Sequence, residues 1–209
     1  MINGFFTVKE ETENVIVIER SKFICNVKGV NNEEDAKAFI DTIRKRHSLA
    51  NHNCYAYIAD DKGLIQKFSD AGEPQGTAGL PMLEVLKNKR MYKTVAVVTR
   101  YFGGIKLGTG GLTRAYGGSV SECLNKAKIA DMQKATVIKI FLDYEGYSRL
   151  LKRLSNPDVS IIKTEFGNNV EVFLAIKIAV VDEFINKIID AFNGKINIQT
   201  IDNGFYDFG

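Results

Sequence analysis

Tryptophan is absent, and 209 residues hold only three prolines, three cysteines and two histidines. Cys25, Cys54 and Cys123 are odd in number, widely spaced and form no C-x-x-C pair. That excludes a disulfide framework and a cysteine zinc knuckle, and it fits reduced thiols in a reducing compartment. His47 and His52 are too far apart to share a helical face, and Cys54 alone does not complete a tetrahedral zinc site. No H-E-x-x-H or comparable ligand set occurs, so no metal and no cofactor are expected. A run of about eighteen apolar residues, enough to cross a membrane as a helix, is missing. Residues 1–13 lack the basic-then-apolar layout of a secretory signal. A cytoplasmic protein without membrane attachment is therefore expected. Internal repeats and low-complexity segments are also absent.

Acid is scarce in one place. Residues 87–128 carry nine Lys or Arg and one acid, Glu122, for a formal charge of +8. The whole chain has a net charge of only +3, because residues 1–130 hold 19 basic and 14 acidic side chains and the remainder 9 and 11. A basic front and a mildly acidic back point to an anionic partner for the front. A solvated surface without a partner is the plainer alternative.

Within the basic stretch, residues 98–118 read V-T-R-Y-F-G-G-I-K-L-G-T-G-G-L-T-R-A-Y-G-G. Seven glycines fall in the sixteen residues 103–118. A backbone without side chains permits tight turns and close approach of a ligand. The segment is not a P-loop, which needs G-x-x-x-x-G-K-S/T. Nor is it a dinucleotide G-x-G-x-x-G, because Thr113 stands at the last glycine place. What remains is a strand, a glycine turn and a helix start whose free N–H groups suit a phosphate. The candidate anion or nucleic-acid site is Arg100, Lys106 and Arg114 for charge, Gly103, Gly104, Gly110 and Gly111 for backbone approach, and Tyr101 beside Phe102 for stacking. A purely structural use of the glycines, in the turn and in close helix packing at Gly117 and Gly118, is the alternative.

Residues 69–79, S-D-A-G-E-P-Q-G-T-A-G, form a second constellation. Asp70 and Glu73 lie on a tight loop after a strand, a common place for working residues. They suit acid–base work or a cation. Equally, Asp70 accepts N–H bonds from its own loop and Glu73 pairs with Arg100 or Arg114. With no positioned nucleophile, no catalytic residue is assigned. His52 reads as a polar contact of the same surface, and Tyr55, Tyr57 and Tyr116 as stacking candidates or core.

Periodicity places strands at 15–18, 23–30, 54–59 and 64–68, a helix over 33–46 capped by Asn31 or Asn32, and a short helix from 80. A central strand at 94–101, apolar on both faces, leads into a long helix from the glycines. After a boundary near 129–135, strand, helix, hairpin (159–166 and 170–178), helix (182–192) and last strand (196–201) give the βαββαβ order of a ferredoxin-like domain. The fold class is α+β in two domains, 1–130 and 135–209.

S-K-F-I at 21–24, H-N-C-Y-A-Y at 52–57, the 69–79 loop and R-Y-F-G-G-I-K-L-G-T-G-G-L-T-R-A-Y at 100–116 resemble the YigZ/IMPACT family, and the likeness extends over nearly the whole chain. The resemblance implies an N-terminal α/β sandwich like domain IV of elongation factor G and a C-terminal domain like its domain V. Eukaryotic members of that family control translation through a protein partner and carry an extra N-terminal interaction domain. The family supplies no catalytic residues to carry over. The expected function is a cytosolic, non-enzymatic RNA- or ribosome-associated modulator of translation. The alternatives are an enzyme on a small anionic substrate using Asp70 or Glu73 with Arg100, and a protein-interaction module.

Overall fold

The computed structural model describes residues 4–154 and 156–209. Residues 1–3 of the expected first domain lie outside the described residues. The chain forms two compact units, 4–130 and 131–209, of mixed α and β structure.

The first unit runs β1 (Gly4–Val8), β2 (Thr12–Ile18), β3 (Ser21–Gly29), α1 (Glu33–Arg46), β4 (His52–Ile58), β5 (Gln66–Ser69), α2 (Gly79–Asn88), β6 (Thr94–Tyr101) and α3 (Gly108–Lys126). Five strands make an antiparallel sheet in the order β2-β3-β6-β4-β5. β6 lies at its centre, and residues 94–100 are all buried. Alternation along β6 divides its side chains between two cores. Val95 and Val97 meet Phe39, Ile40 and Ile43 of α1. Ala96 and Val98 face the other way, with Met82 and Leu86 of α2 and Leu112 and Tyr116 of α3. Helices therefore cover both faces, which is why a central strand of an antiparallel sheet is apolar on both faces over residues 95–98.

Local chemistry sets the ends. Asn32 caps α1 by accepting the Asp35 N–H at 2.8 Å, with Glu33, Glu34 and Asp35 in the first turn and three basic residues in the last. That charge order complements the helix dipole. β2 and β3 join through Glu19 and Arg20, both at positive φ (43° and 62°). This is a type I′ hairpin built from residues that tolerate it poorly. Gly103 packs on that turn: a Cβ there would lie 2.0 Å from the Arg20 carbonyl carbon, so only glycine fits.

The second unit runs β7 (Ile129–Leu142), α4 (Tyr144–Leu151), β8 (Val159–Phe166), β9 (Val170–Lys177), a 3-10 turn, α5 (Val181–Ala191) and β10 (Asn197–Asp207). Its strands pair antiparallel in the order β8-β9-β7-β10. That order, with the βαββαβ sequence of elements, is the split βαβ arrangement. Leu150, Phe184, Ile188 and Phe192 of the helical layer pack on Ile138, Ile140, Val172 and Leu174. Residues 129–135, the expected boundary, span the division between the two units and form the first half of a 14-residue strand. β10 extends correspondingly to Asp207 and pairs with Met132. Two strands with polar outer positions hold each other where neither shows a strong alternation alone.

Asn32→Ala is expected to destabilise the first unit by about 1 kcal/mol, the usual cost of a lost cap. A fall in the urea midpoint, followed by amide signals of 33–46, checks it.

A buried ion pair beside the start of α3

The candidate site lies at the C-terminal end of β6, on the face covered by α2 and α3. Phe23 of β3, Arg100 of β6 and His52 of β4 stand opposite one another across three adjacent strands. Arg100 shares the parity of Ala96 and Val98, so its side chain points under the helices and is only 5% exposed. It was expected to meet phosphate from the surface. The fold instead surrounds its charge with protein.

Glu73, from the 69–79 loop, answers that charge. Arg100 Nη1 donates to Glu73 Oε1 at 2.7 Å, and Tyr116 OH of α3 donates to the same oxygen at 2.7 Å. His52 Nε2 lies 3.8 Å from it, while His52 Nδ1–H donates to the Ala71 carbonyl at 3.0 Å. Arg100 Nη2 donates to Ser21 Oγ at 3.3 Å, which also accepts the Gly103 N–H at 3.1 Å. The guanidinium carbon lies over the rings of Phe23 and Phe102, 5.4 Å from each centroid. A buried charge needs such a partner, because removing it from water costs several kcal/mol.

Asp70 has a different task. Its Oδ1 accepts the N–H groups of Ala78 and Gly79 at 3.0 and 2.9 Å, and its Oδ2 that of Gly76 at 2.8 Å. Ala78 offers no side-chain cap to α2, so a carboxylate eight residues upstream caps that helix and complements its dipole. Both oxygens are occupied by the loop itself. Gly79 is required there, since a Cβ would lie 2.8 Å from the Ser69 backbone.

Cys54 donates to the Asp70 carbonyl at 2.9 Å, and burial pushes its thiol up to about 12. It is therefore no thiolate nucleophile at neutral pH. Burial likewise raises the Tyr116 phenol, with Cys54 and Glu73 adding to the shift. Tyr116 and Tyr57 are core residues, 0% and 1% exposed, so neither is available to stack on a base. Tyr101 points to the α1 face, where its hydroxyl pairs with His47 Nδ1 at 3.1 Å. The row therefore separates Tyr101 from Arg100 and leaves Phe102, 46% exposed, as the accessible ring.

Gly104, Lys106, Gly110 and Arg114 are exposed, and Gly111 is half-buried. Leu107 gives α3 no side-chain cap, and its first turn has no acid. Among the described residues, Lys106 and Arg114 have no ion-pair partner, and no group of three metal-ligating side chains occurs. Glu73, Arg100, Phe102, Lys106, Gly108 and Thr109 help to line a cleft of about 350 Å³. Ser21 and Phe23 were missing from the expected site. The S-K-F-I motif and the β3–β6 pairing were the signals that lead to them.

The profile of the Impact N-terminal domain matches residues 19–124, and that of a domain of unknown function, DUF1949, matches 140–195. The Bacillus subtilis IMPACT family member YvyE is 43% identical over 95% of this chain and 92% of its own. The chain belongs to the IMPACT family. The Escherichia coli member YigZ is 36% identical over 88% of this chain and 92% of its own. A crystal structure of a hypothetical protein, 33% identical, superposes with a TM-score of 0.61 and covers 97% of this chain and 99% of that one. The matched first profile contains every residue of the ion-pair cluster. In this IMPACT family chain, Arg100 and Glu73, one from each of the two longest motifs, are thus joined in the buried cluster.

Arg100→Ala leaves Glu73 buried without its cation and is expected to cost about 3–5 kcal/mol. Arg100→Met with Glu73→Leu should recover part of that loss, but not all, because Tyr116 OH then lacks its acceptor. Denaturant unfolding of the single and double variants measures both. A single Arg100→Ala as stable as wild type contradicts the burial argument.

Proposed function

We propose that this IMPACT family protein is a cytosolic RNA- or ribosome-associated modulator of translation that works by binding. The observation that carries the reading is the uncapped start of α3, flanked by two exposed cations, Lys106 and Arg114, with no ion-pair partner among the described residues. The first four N–H groups of a helix lack intrahelical acceptors, and the dipole adds partial positive charge there. Here those groups belong to Gly108–Gly111, so little side chain stands between them and a phosphate. Arg100 contributes little net field, since Glu73 neutralises it. Lys106 and Arg114 are the free charges. The likeness of the two units to domains IV and V of elongation factor G, implied by the family, fits a protein that works against ribosomal RNA.

A second reading is an enzyme on a small anionic substrate. One observation favours it: Glu73 and Arg100 meet in the wall of the cleft. Asp70 does not join them, because its oxygens hold the loop. The binding reading uses both unpaired cations, whereas Lys106 but not Arg114 lines the cleft that the enzyme reading needs.

Lys106→Ala with Arg114→Ala is expected to weaken binding of single-stranded RNA and of ribosomes. It should also flatten the slope of log affinity against log salt by about 0.7 per lost phosphate contact. Co-sedimentation and fluorescence titration across a salt series read both. Equal slopes for wild type and double variant overturn the site. Partners that survive nuclease treatment would move the reading to protein–protein interaction.

A further inference from the structure

We infer that the cleft at the start of α3 holds one nucleoside monophosphate unit, supplied as an unpaired nucleotide of RNA. The inference rests on the RNA reading and names what its central site takes. One wall is apolar, built from Pro74, Phe102, Leu107 and Leu112. The opposite chemistry lies close by, with exposed Lys106 and the N–H groups of Gly108 and Thr109 at the helix start. A bare anion has no use for the apolar wall, and an apolar ligand leaves the cation and the N–H groups unanswered. A nucleotide carries both halves on one small molecule.

Size agrees. The cleft is about 350 Å³, at the lower end of small-ligand pockets of roughly 300–1,000 Å³. That suits one nucleotide, not a duplex or a stacked run of bases. The base therefore enters unpaired and lies on the free side of the Phe102 ring. Phe102 is a firm platform: its N–H donates to Asn51 Oδ1 at 2.8 Å, and the Arg100 guanidinium backs the ring. Base stacking on such an aromatic tolerates any base.

Arg100 gives an independent sign of a ligand. It forms part of the cleft wall and is more than nine-tenths buried, yet its Nε–H has no hydrogen-bond partner among the described residues. Buried donors are nearly always paired. A guanidinium with one edge given to Glu73 and Ser21 thus retains one unpaired donor in the cleft wall. The phosphate falls on the opposite side, at Lys106 and the helix start.

The test uses the full ¹⁵N-labelled chain with AMP, UMP and inorganic phosphate as probes. Both nucleotides are expected to shift the Gly108 and Thr109 amide signals and the Phe102 ring signals. Inorganic phosphate should shift the amides alone and bind more weakly. Phe102→Ala should weaken AMP binding by about 5- to 150-fold, matching roughly 1–3 kcal/mol per stacked base, and leave phosphate binding unchanged. Because Phe102 is half-exposed, the variant keeps its core. If AMP and inorganic phosphate bind equally in wild type and Phe102→Ala, the site takes an anion only and the inference falls. RNA binding that depends on Lys106 and Arg114, with Phe102 unmoved by either nucleotide, sinks the cleft inference and leaves the RNA reading standing. Nucleotides in the cleft without any RNA binding overturn the RNA reading and, with it, RNA as the source of the nucleotide.

Discussion

The pairing of Glu73 with Arg100 is the constraint around which the first unit is arranged. Arg100 is carried into the interior by the alternation of the central strand, and a guanidinium there demands a counter-charge. The sheet does not supply one, so the 69–79 loop must bring Glu73 over the end of the strands. To do so it turns through positive φ at Ala71, Gly72 and Gly76, and Asp70 fixes that path by holding three N–H groups of the same loop. The knot in turn starts α2, and Tyr116 ties α3 to the same carboxylate oxygen. One buried charge thereby determines the loop, two helix positions and the hairpin turn on Gly103.

Such a pair need not add stability over an apolar pair of similar volume. Its distinctive effect is geometric. A hydrophobic contact slides at little cost, whereas a 2.7 Å charge-assisted bond shared with a tyrosine hydroxyl has one arrangement. It fixes the height of the 69–79 loop relative to the start of α3, and those two segments are the walls of the cleft.

Much of this was legible in the sequence. The α1 boundaries follow from an asparagine cap, three leading acids and the spacing of Ala36, Phe39, Ile40 and Ile43. The burial of both faces of β6 follows from an unbroken apolar run. The pairing of Glu73 with Arg100 and the use of Asp70 by its own loop were among the readings those residue types permit. What the sequence concealed was depth. Arg100 has the same composition signal as Lys106, and a glycine-rich, basic window presents all its cations alike. The distinguishing signal is parity: Arg100 is two residues from Val98 and four from Ala96, on the helix-covered side, while Tyr101 falls on the other. Tyr57 and Tyr116 were misleading for the same reason, since an aromatic with a polar tip looks alike on a surface and in a core. The lengths of β7 and β10 were hidden because each takes its regularity from the other.

The glycine segment accordingly has two functions that composition merges into one. Gly103 belongs to the scaffold, because the Arg20 backbone occupies the space of its side chain. Gly108–Gly111 are different. Nothing lies within 4 Å of a Cβ built on Gly108, and Gly110 meets only the Arg114 side chain at 3.7 Å. Packing does not demand glycine at either place. Gly108 does adopt a positive φ of 69°, which accounts for the turn into the helix, and a Cβ on Gly111 would lie 3.0 Å from Leu107 Cβ, but neither accounts for Gly110. A helix that begins on such residues forgoes helix propensity of about 1 kcal/mol for each glycine in its interior. It also forgoes the side-chain cap that Asn32 gives α1 and Asp70 gives α2. The one uncapped helix start of the three is thus the one beside unpaired cations and an exposed aromatic ring. Exposed N–H groups, free positive charge and a stacking face coincide there, which is the combination an unpaired nucleotide requires.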